Sequence, residues 1–217
     1  MEGRIVNQAR IVEICRRLHQ RNLLSAADGN VSLRVSDNEI WITPSGLNKG
    51  FIDPEDLACI DIDNRVIQGR PSGERLMHLE VYRTCTEAKA IVHAHPPTAI
   101  AWSIARPELT ELPADTMSEV ILAVGRVPIA PYARPGTQAM GDVLRPLAPA
   151  HRVMILARHG ALSWGESLDE AYNGMERLEA IAQILKAAHE LGGLTSLPKE
   201  EIAALKAIRA QMGPQTL

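Results

Sequence analysis

The stretch Ala90-Ile91-Val92-His93-Ala94-His95, followed by Pro96-Pro97, is where the reading of this chain begins. Small and β-branched apolar residues running into two prolines predict a strand that ends there, because proline cannot donate to an interior ladder. Successive side chains along a strand alternate between faces, so His93 and His95 share one. Two imidazoles so placed suit a divalent metal, but they equally suit two half-buried surface histidines, and the pair alone leaves both readings open.

Working outward, Arg152-Val-Met-Ile-Leu-Ala157 predicts a buried strand that ends in the loop His159-Gly160, where irregular backbone can aim a side chain into a cleft. Three histidines would leave a fourth position open, as catalytic zinc sites do; zinc is the expected ion, and manganese, cobalt or iron also suit imidazole. His19, His151 and His189 read as surface residues. His78 lies four residues after Glu74 on one predicted helix face and reads as a hydrogen-bonded structural histidine beside that carboxylate.

Upstream, Ile5, Val12, Cys15, Leu18 and Leu23 are spaced for an amphipathic helix, and VSLRV and EIWITP flank the turn Ser36-Asp37-Asn38 as a hairpin. LACIDID and RVIQG continue as strands. Ser72 is expected to cap the helix in ERLMHLEVYRTC. VPIAPY predicts a strand, TQAMGDVLRPLA a short helix, and Ser167-Leu-Asp-Glu170 a capping box opening a helix that runs to about Glu190 before Gly192-Gly193. The tail LPKEEIAALKAIRAQM predicts one more helix. Together these imply a mixed α/β sheet covered by helices.

Glu74 follows Pro71-Ser72-Gly73 at a helix entrance, where unpaired N–H groups and the positive dipole end favour an anion. Glu74 is therefore either a helix-stabilising acid or a proton carrier near the metal. In the second case Ser72 and Gly73 would bind an anionic substrate group, with Asn30, Ser45 and Gly46 completing the nest.

The chain has 217 residues, enough for one core, and is expected to form one domain over 1–217. With 23 Lys and Arg against 26 Asp and Glu, its net charge of −3 supplies no basic surplus for nucleic acid or anionic lipid, so partners of both kinds are excluded. Aromatic residues at 3% leave few stacking platforms for bases. Cys15, Cys59 and Cys85 form no C-x-x-C pair, and Met1–Arg10 carries charges where a signal peptide needs an apolar run, so a cytoplasmic location is expected.

In order, Gly29-Asn30-Val31-Ser32, Thr43-Pro44-Ser45-Gly46, Pro71-Ser72-Gly73-Glu74, His93-Ala94-His95, Ala130-Pro131-Tyr132 and His159-Gly160 resemble the class II aldolase/adducin family, nearest the L-fuculose-1-phosphate aldolase type, over roughly residues 10–190. The resemblance implies a single α/β/α domain with a central, mainly antiparallel sheet, and a homotetramer with active sites at subunit interfaces. It implies His93, His95 and His159 as ligands of a divalent metal, with Glu74 as acid/base and as a further ligand when substrate is absent. Asn30, Ser45, Gly46, Ser72 and Gly73 would cradle a sugar phosphate. The implied reaction cleaves a ketose 1-phosphate to dihydroxyacetone phosphate and an aldehyde through an enediolate.

Three positions depart from that pattern. Ala27 and Gly73 stand where the family often carries Ser or Thr. Met117 stands where the fuculose-phosphate aldolases place a tyrosine reaching a neighbouring subunit, with Asp115 and Glu119 as substitute acids or as solvated loop charges. Relatives with the same enolate chemistry decarboxylate sugar-acid phosphates or dehydrate methylthioribulose 1-phosphate, and adducin-like modules are non-catalytic.

Overall fold

In a computed structural model, which describes residues 2–213 and side chains from Val6 onward, the chain forms an eight-stranded sheet between two helical layers. The N-terminal helix α1 spans Glu2–Gln20; Ile5, expected on its apolar stripe, has its side chain outside the described residues. Then come β1 (Asn30–Ser36), β2 (Glu39–Ile42), β3 (Ala58–Ile60), β4 (Val66–Gln68), α2 (Arg75–Thr84), β5 (Ala90–Ala94), α3 (Pro97–Ala105) and β6 (Ile129–Ala130). The chain continues with α4 (Gln138–Leu144), β7 (Val153–Leu156), β8 (Gly160–Gly165), α5 (Leu168–Glu190) and α6 (Lys199–Met212). Strand order is β4-β3-β2-β1-β5-β8-β7-β6, and only β6 and β7 run parallel.

The alternation of β5 divides the core. Ala90, Val92 and Ala94 pack with Ile11, Ile14 and Leu18 of α1, Trp102 of α3 and Leu178 of α5. Ile91 faces the other way, with Met77, Val81 and Tyr82 of α2 and Met140 and Leu144 of α4. Each such aliphatic side chain contributes about 1.5–3 kcal/mol when fully buried. His93 has the parity of Ile91, so it projects toward the α2 side, and α2 begins beside Glu74.

Three local expectations need correction. The helix after Pro71 starts at Arg75 with Glu74 at the N-cap, while the Ser72 hydroxyl accepts the Glu74 N–H at 3.2 Å in the preceding turn. Ser167 does cap α5 by accepting the Glu170 N–H, but the Glu170 carboxylate accepts from Glu166 N–H and pairs with Arg152 instead of returning to Ser167. Pro97 does more than end β5: it opens α3, since proline's missing N–H costs nothing in a first turn. Of the histidines read as surface residues, His189 is exposed, whereas His19 packs its ring 5.3 Å from that of Phe51 and His151 is half-buried. No helix among the described residues is long and apolar enough to cross a membrane.

Candidate metal centre and active site

The three predicted histidines converge. His93 and His95 come from the end of β5, and His159 from the tight turn between β7 and β8, where Arg158 takes a left-handed φ of 61°. Their ring nitrogens lie within 4.8 Å of one another, and His95 Nε2 is 3.3 Å from His93 Nε2. His93 Nδ1 lies 2.9 Å from the Ala161 carbonyl, which can only accept, so Nδ1 carries a proton and Nε2 is the ring atom turned into the cluster. Three imidazoles whose ring nitrogens converge, one of them held in orientation by a backbone carbonyl, are a donor set that fits a divalent cation.

Two glycines make this approach possible. A Cβ at Gly160 would lie 2.7 Å from the Ala94 carbonyl, 2.8 Å from His93 Cε1 and 2.9 Å from His95 Cδ2. Gly29 has φ of 68°, and a Cβ there would run into the Leu24 side chain and lie 2.8 Å from the His93 carbonyl.

Glu74 reaches the cluster from the start of α2. Its Oε1 is 3.0 Å from His159 Nε2 and its Oε2 is 3.3 Å from His93 Nε2. Burial pushes this carboxyl up, but hydrogen bonding to His159 and His93 and their proximity outweigh it and hold the group below the usual carboxylate range. Burial lowers His95 to about 3, with its histidine neighbours adding to the shift, which keeps it neutral as a ligand must be.

Beside the cluster is a cleft of about 280 Å³ whose lining includes Asn30, Ser45, Gly46, Ser72, Gly73 and Glu74, all six anticipated from sequence. Their roles differ in detail. The Ser45 N–H donates to the Arg70 carbonyl and the Ser72 N–H to the Thr43 carbonyl, which tie the two loops together, so these residues can offer hydroxyls rather than amides. Asn30 is not in a loop: it is the first residue of β1, and its side chain meets Glu74 and His78. Sequence reasoning missed Lys49. Its ammonium is buried at the cleft, donating to the carbonyls of Ala27 at 2.5 Å and Leu47 at 2.8 Å. The lysine one turn beyond the Ser45-Gly46 bend was the available signal.

Met117 packs against the core of its own chain, and Asp115 pairs with Lys206 at 3.0 Å in a separate cavity of about 930 Å³ near α6. Neither Asp115 nor Glu119 lines the cleft of Glu74.

A model of the Class II Aldolase and Adducin N-terminal domain matches residues 9–185. The chain belongs to this family. Among class II aldolase relatives, the 3-oxo-tetronate 4-phosphate decarboxylase of Escherichia coli O6:H1 is 36% identical over 172 residues, covering 76% of this chain and 79% of that protein. The L-fuculose phosphate aldolase of Methanococcus vannielii is 35% identical over 173 residues, covering 80% and 92%. YgbL of Escherichia coli superposes with a TM-score of 0.88 at 31% identity over 94% of this chain and 99% of its own. The L-fuculose-1-phosphate aldolase of Thermus thermophilus gives 0.77 at 33% identity over 87% and 95%. The expected aldolase-type fold is thus established, and the chain is an enzyme of the class II aldolase superfamily with a histidine cluster able to bind a metal.

Proposed function

We propose that this chain is a metal-dependent carbon–carbon lyase acting on a phosphorylated keto sugar or keto sugar acid. The observation that carries the reading is Glu74 set between His93 and His159 at the edge of a cleft lined with hydroxyl and amide donors. His93, His95 and His159 would hold the cation, zinc first, with manganese, cobalt or iron as alternatives. When bound, the cation supplies a Lewis acid for the substrate oxygen that gathers negative charge as the bond breaks.

The protein's own groups do the rest. The hydroxyls of Ser45 and Ser72 and the N–H groups of Gly46 and Gly73 bind the phosphate, and Lys49 holds positive charge behind them. Glu74 carries the proton to and from the substrate carbon beside the carbonyl.

Two substrates fit. Cleavage of a ketose 1-phosphate to dihydroxyacetone phosphate and an aldehyde also needs a proton carrier on the aldehyde side. Decarboxylation of a 3-oxo sugar-acid phosphate does not, because carbon dioxide leaves without a proton. Met117, which carries no acidic proton where the fuculose-phosphate aldolases place a tyrosine, favours decarboxylation, and relatives named for that reaction support it. The aldolase reaction is the second reading, supported by the fuculose phosphate aldolases.

The assay is direct: purified protein with zinc or manganese, offered 3-oxo-tetronate 4-phosphate and fuculose 1-phosphate, monitored for carbon dioxide and for aldehyde. Carbon dioxide alone supports the first reading, aldehyde alone the second, and neither product overturns both.

The reading extends to one domain over 1–217, supported by the single sheet, and to a homotetramer with interfacial sites. Phe51, 75% exposed at the end of the short helical turn that begins with Lys49, supports such an interface. A cytoplasmic location is supported by Cys15 and Cys85, which are buried as thiols.

A further inference from the structure

A line of buried polar groups runs from the cleft into the core beneath α2. Glu74 Oε2 is 2.8 Å from Asn30 Nδ2, Asn30 Oδ1 is 2.5 Å from His78 Nε2, His78 Nδ1 is 2.7 Å from Ser32 Oγ, and Ser32 Oγ is 2.7 Å from Tyr82 Oη. Asn30, Ser32, His78 and Tyr82 are each at most 1% exposed. Water therefore cannot stand in for a missing partner, and each link must be a protein hydrogen bond.

The direction of every link is fixed by chemistry. The Asn30 side chain turns its amide nitrogen toward Glu74 Oε2, to which it donates, and its oxygen toward His78. An amide oxygen can only accept, so His78 donates from Nε2 and is a bare acceptor at Nδ1. The Ser32 hydroxyl fills that acceptor with its single proton, which leaves Ser32 Oγ to accept from the Tyr82 hydroxyl at 2.7 Å, the shorter of that hydroxyl's two contacts, the other being the Lys89 carbonyl at 3.3 Å. Reversing any link would set two donors or two acceptors face to face.

We infer that His78 is a positioning residue, which with Ser32 and Tyr82 locks the Asn30 amide so that its N–H points at Glu74 and holds that carboxylate in place for proton transfer. This rests on the proposed role of Glu74 as proton carrier. A histidine serving only to fill the core would be replaceable by any side chain of its volume. A positioning histidine acts through Asn30 and needs its Nε2 proton.

Two measurements test it. In metal-free protein, two-bond proton–nitrogen correlation spectra of ring-labelled histidine should show His78 as the Nε2–H tautomer; an Nδ1–H tautomer overturns the inference whatever the reaction proves to be. Second, kcat, KM and metal content are compared for wild type, His78→Ala, His78→Gln and both changes in an Asn30→Ala background, using whichever cleavage the wild type performs. His78→Ala should lower kcat by about 10- to 100-fold, a fraction of a full general acid–base contribution, with KM and bound metal nearly unchanged.

His78→Gln, which keeps a donor near the Nε2 position, should recover most of that loss. In the Asn30→Ala background, His78→Ala should cost less than about 2-fold, because residues acting as one unit are not additive. Independent multiplicative losses, or equal losses in His78→Gln and His78→Ala, would overturn the inference. Should His78→Ala fail to fold, His78→Gln against Ser32→Ala carries the same comparison. A wild type that cleaves neither substrate overturns the proposed function instead, and the tautomer alone then decides this inference.

Discussion

Asn30 stands directly opposite His93 in the antiparallel β1–β5 ladder. Residues directly paired across such strands project to the same face, so the strand register itself brings the amide that contacts Glu74 beside a histidine of the cluster able to bind a metal. Glu74 then completes the group from the start of α2, because α2 packs on that same face.

If Glu74 is the proton carrier, Glu74→Gln should lower kcat by about 10²- to 10⁴-fold while leaving the three imidazoles able to bind metal. Steady-state kinetics beside metal analysis by mass spectrometry would check this; a fully active Glu74→Gln would remove the residue from the mechanism.

Gly160→Ala should disrupt the metal centre without changing any ligand. The new methyl group has nowhere to go against the Ala94 carbonyl and the rings of His93 and His95, so bound metal should drop and stability should fall by about 1–3 kcal/mol. Calorimetry of the metal-free and metal-loaded forms would separate the two effects.

Gly73→Ser probes the phosphate contacts from the opposite direction. A Cβ at Gly73 meets nothing within 4 Å, so a serine fits and adds a hydroxyl at the cleft. Affinity for inorganic phosphate, measured by competition, should change more than kcat; a change in kcat alone would count against the phosphate assignment.

Lys49→Met should weaken phosphate binding and destabilise the fold together. It leaves the Ala27 and Leu47 carbonyls without their ammonium, at a cost of about 1–3 kcal/mol where these groups stay dry. Chemical denaturation and phosphate titration provide the two readouts.

Acid should unfold the metal-free protein early. Burial, with some help from His93, lowers His78 to about 3, so the folded state keeps it neutral while the unfolded chain takes up a proton below its ordinary value near 6.5. The stability from this group is whole above pH 6.5 and is lost as pH falls toward about 3, at up to about 1.4 kcal/mol per pH unit. Denaturation midpoints of wild type and His78→Gln across that range should converge as pH falls; a constant difference would contradict the assignment.

Much of the site was legible in residue order. Period-two alternation put His93 and His95 on one face, the β7 run placed His159 at a strand end, and the Ser72-Gly73-Glu74 turn announced a helix entrance with an acid in it. These are local properties, set by backbone geometry within a few residues. The cap at Glu74 instead of Ser72 was beyond that reach, because the turn before α2 is shaped by the Ser72 N–H bonding to Thr43, far away in the chain.

The sequence by itself determined the alternation, the helical stripes, the charge balance and the residue types able to bind a metal. Only the tertiary structure decided that β1 pairs with β5, that Lys49 is buried behind the cleft, that Met117 packs against its own core, and that His78 reaches Glu74 through Asn30. Each of those joins residues dozens of positions apart. Their partners are chosen by strand register and by the need to satisfy every buried polar group at once, which local pattern does not encode.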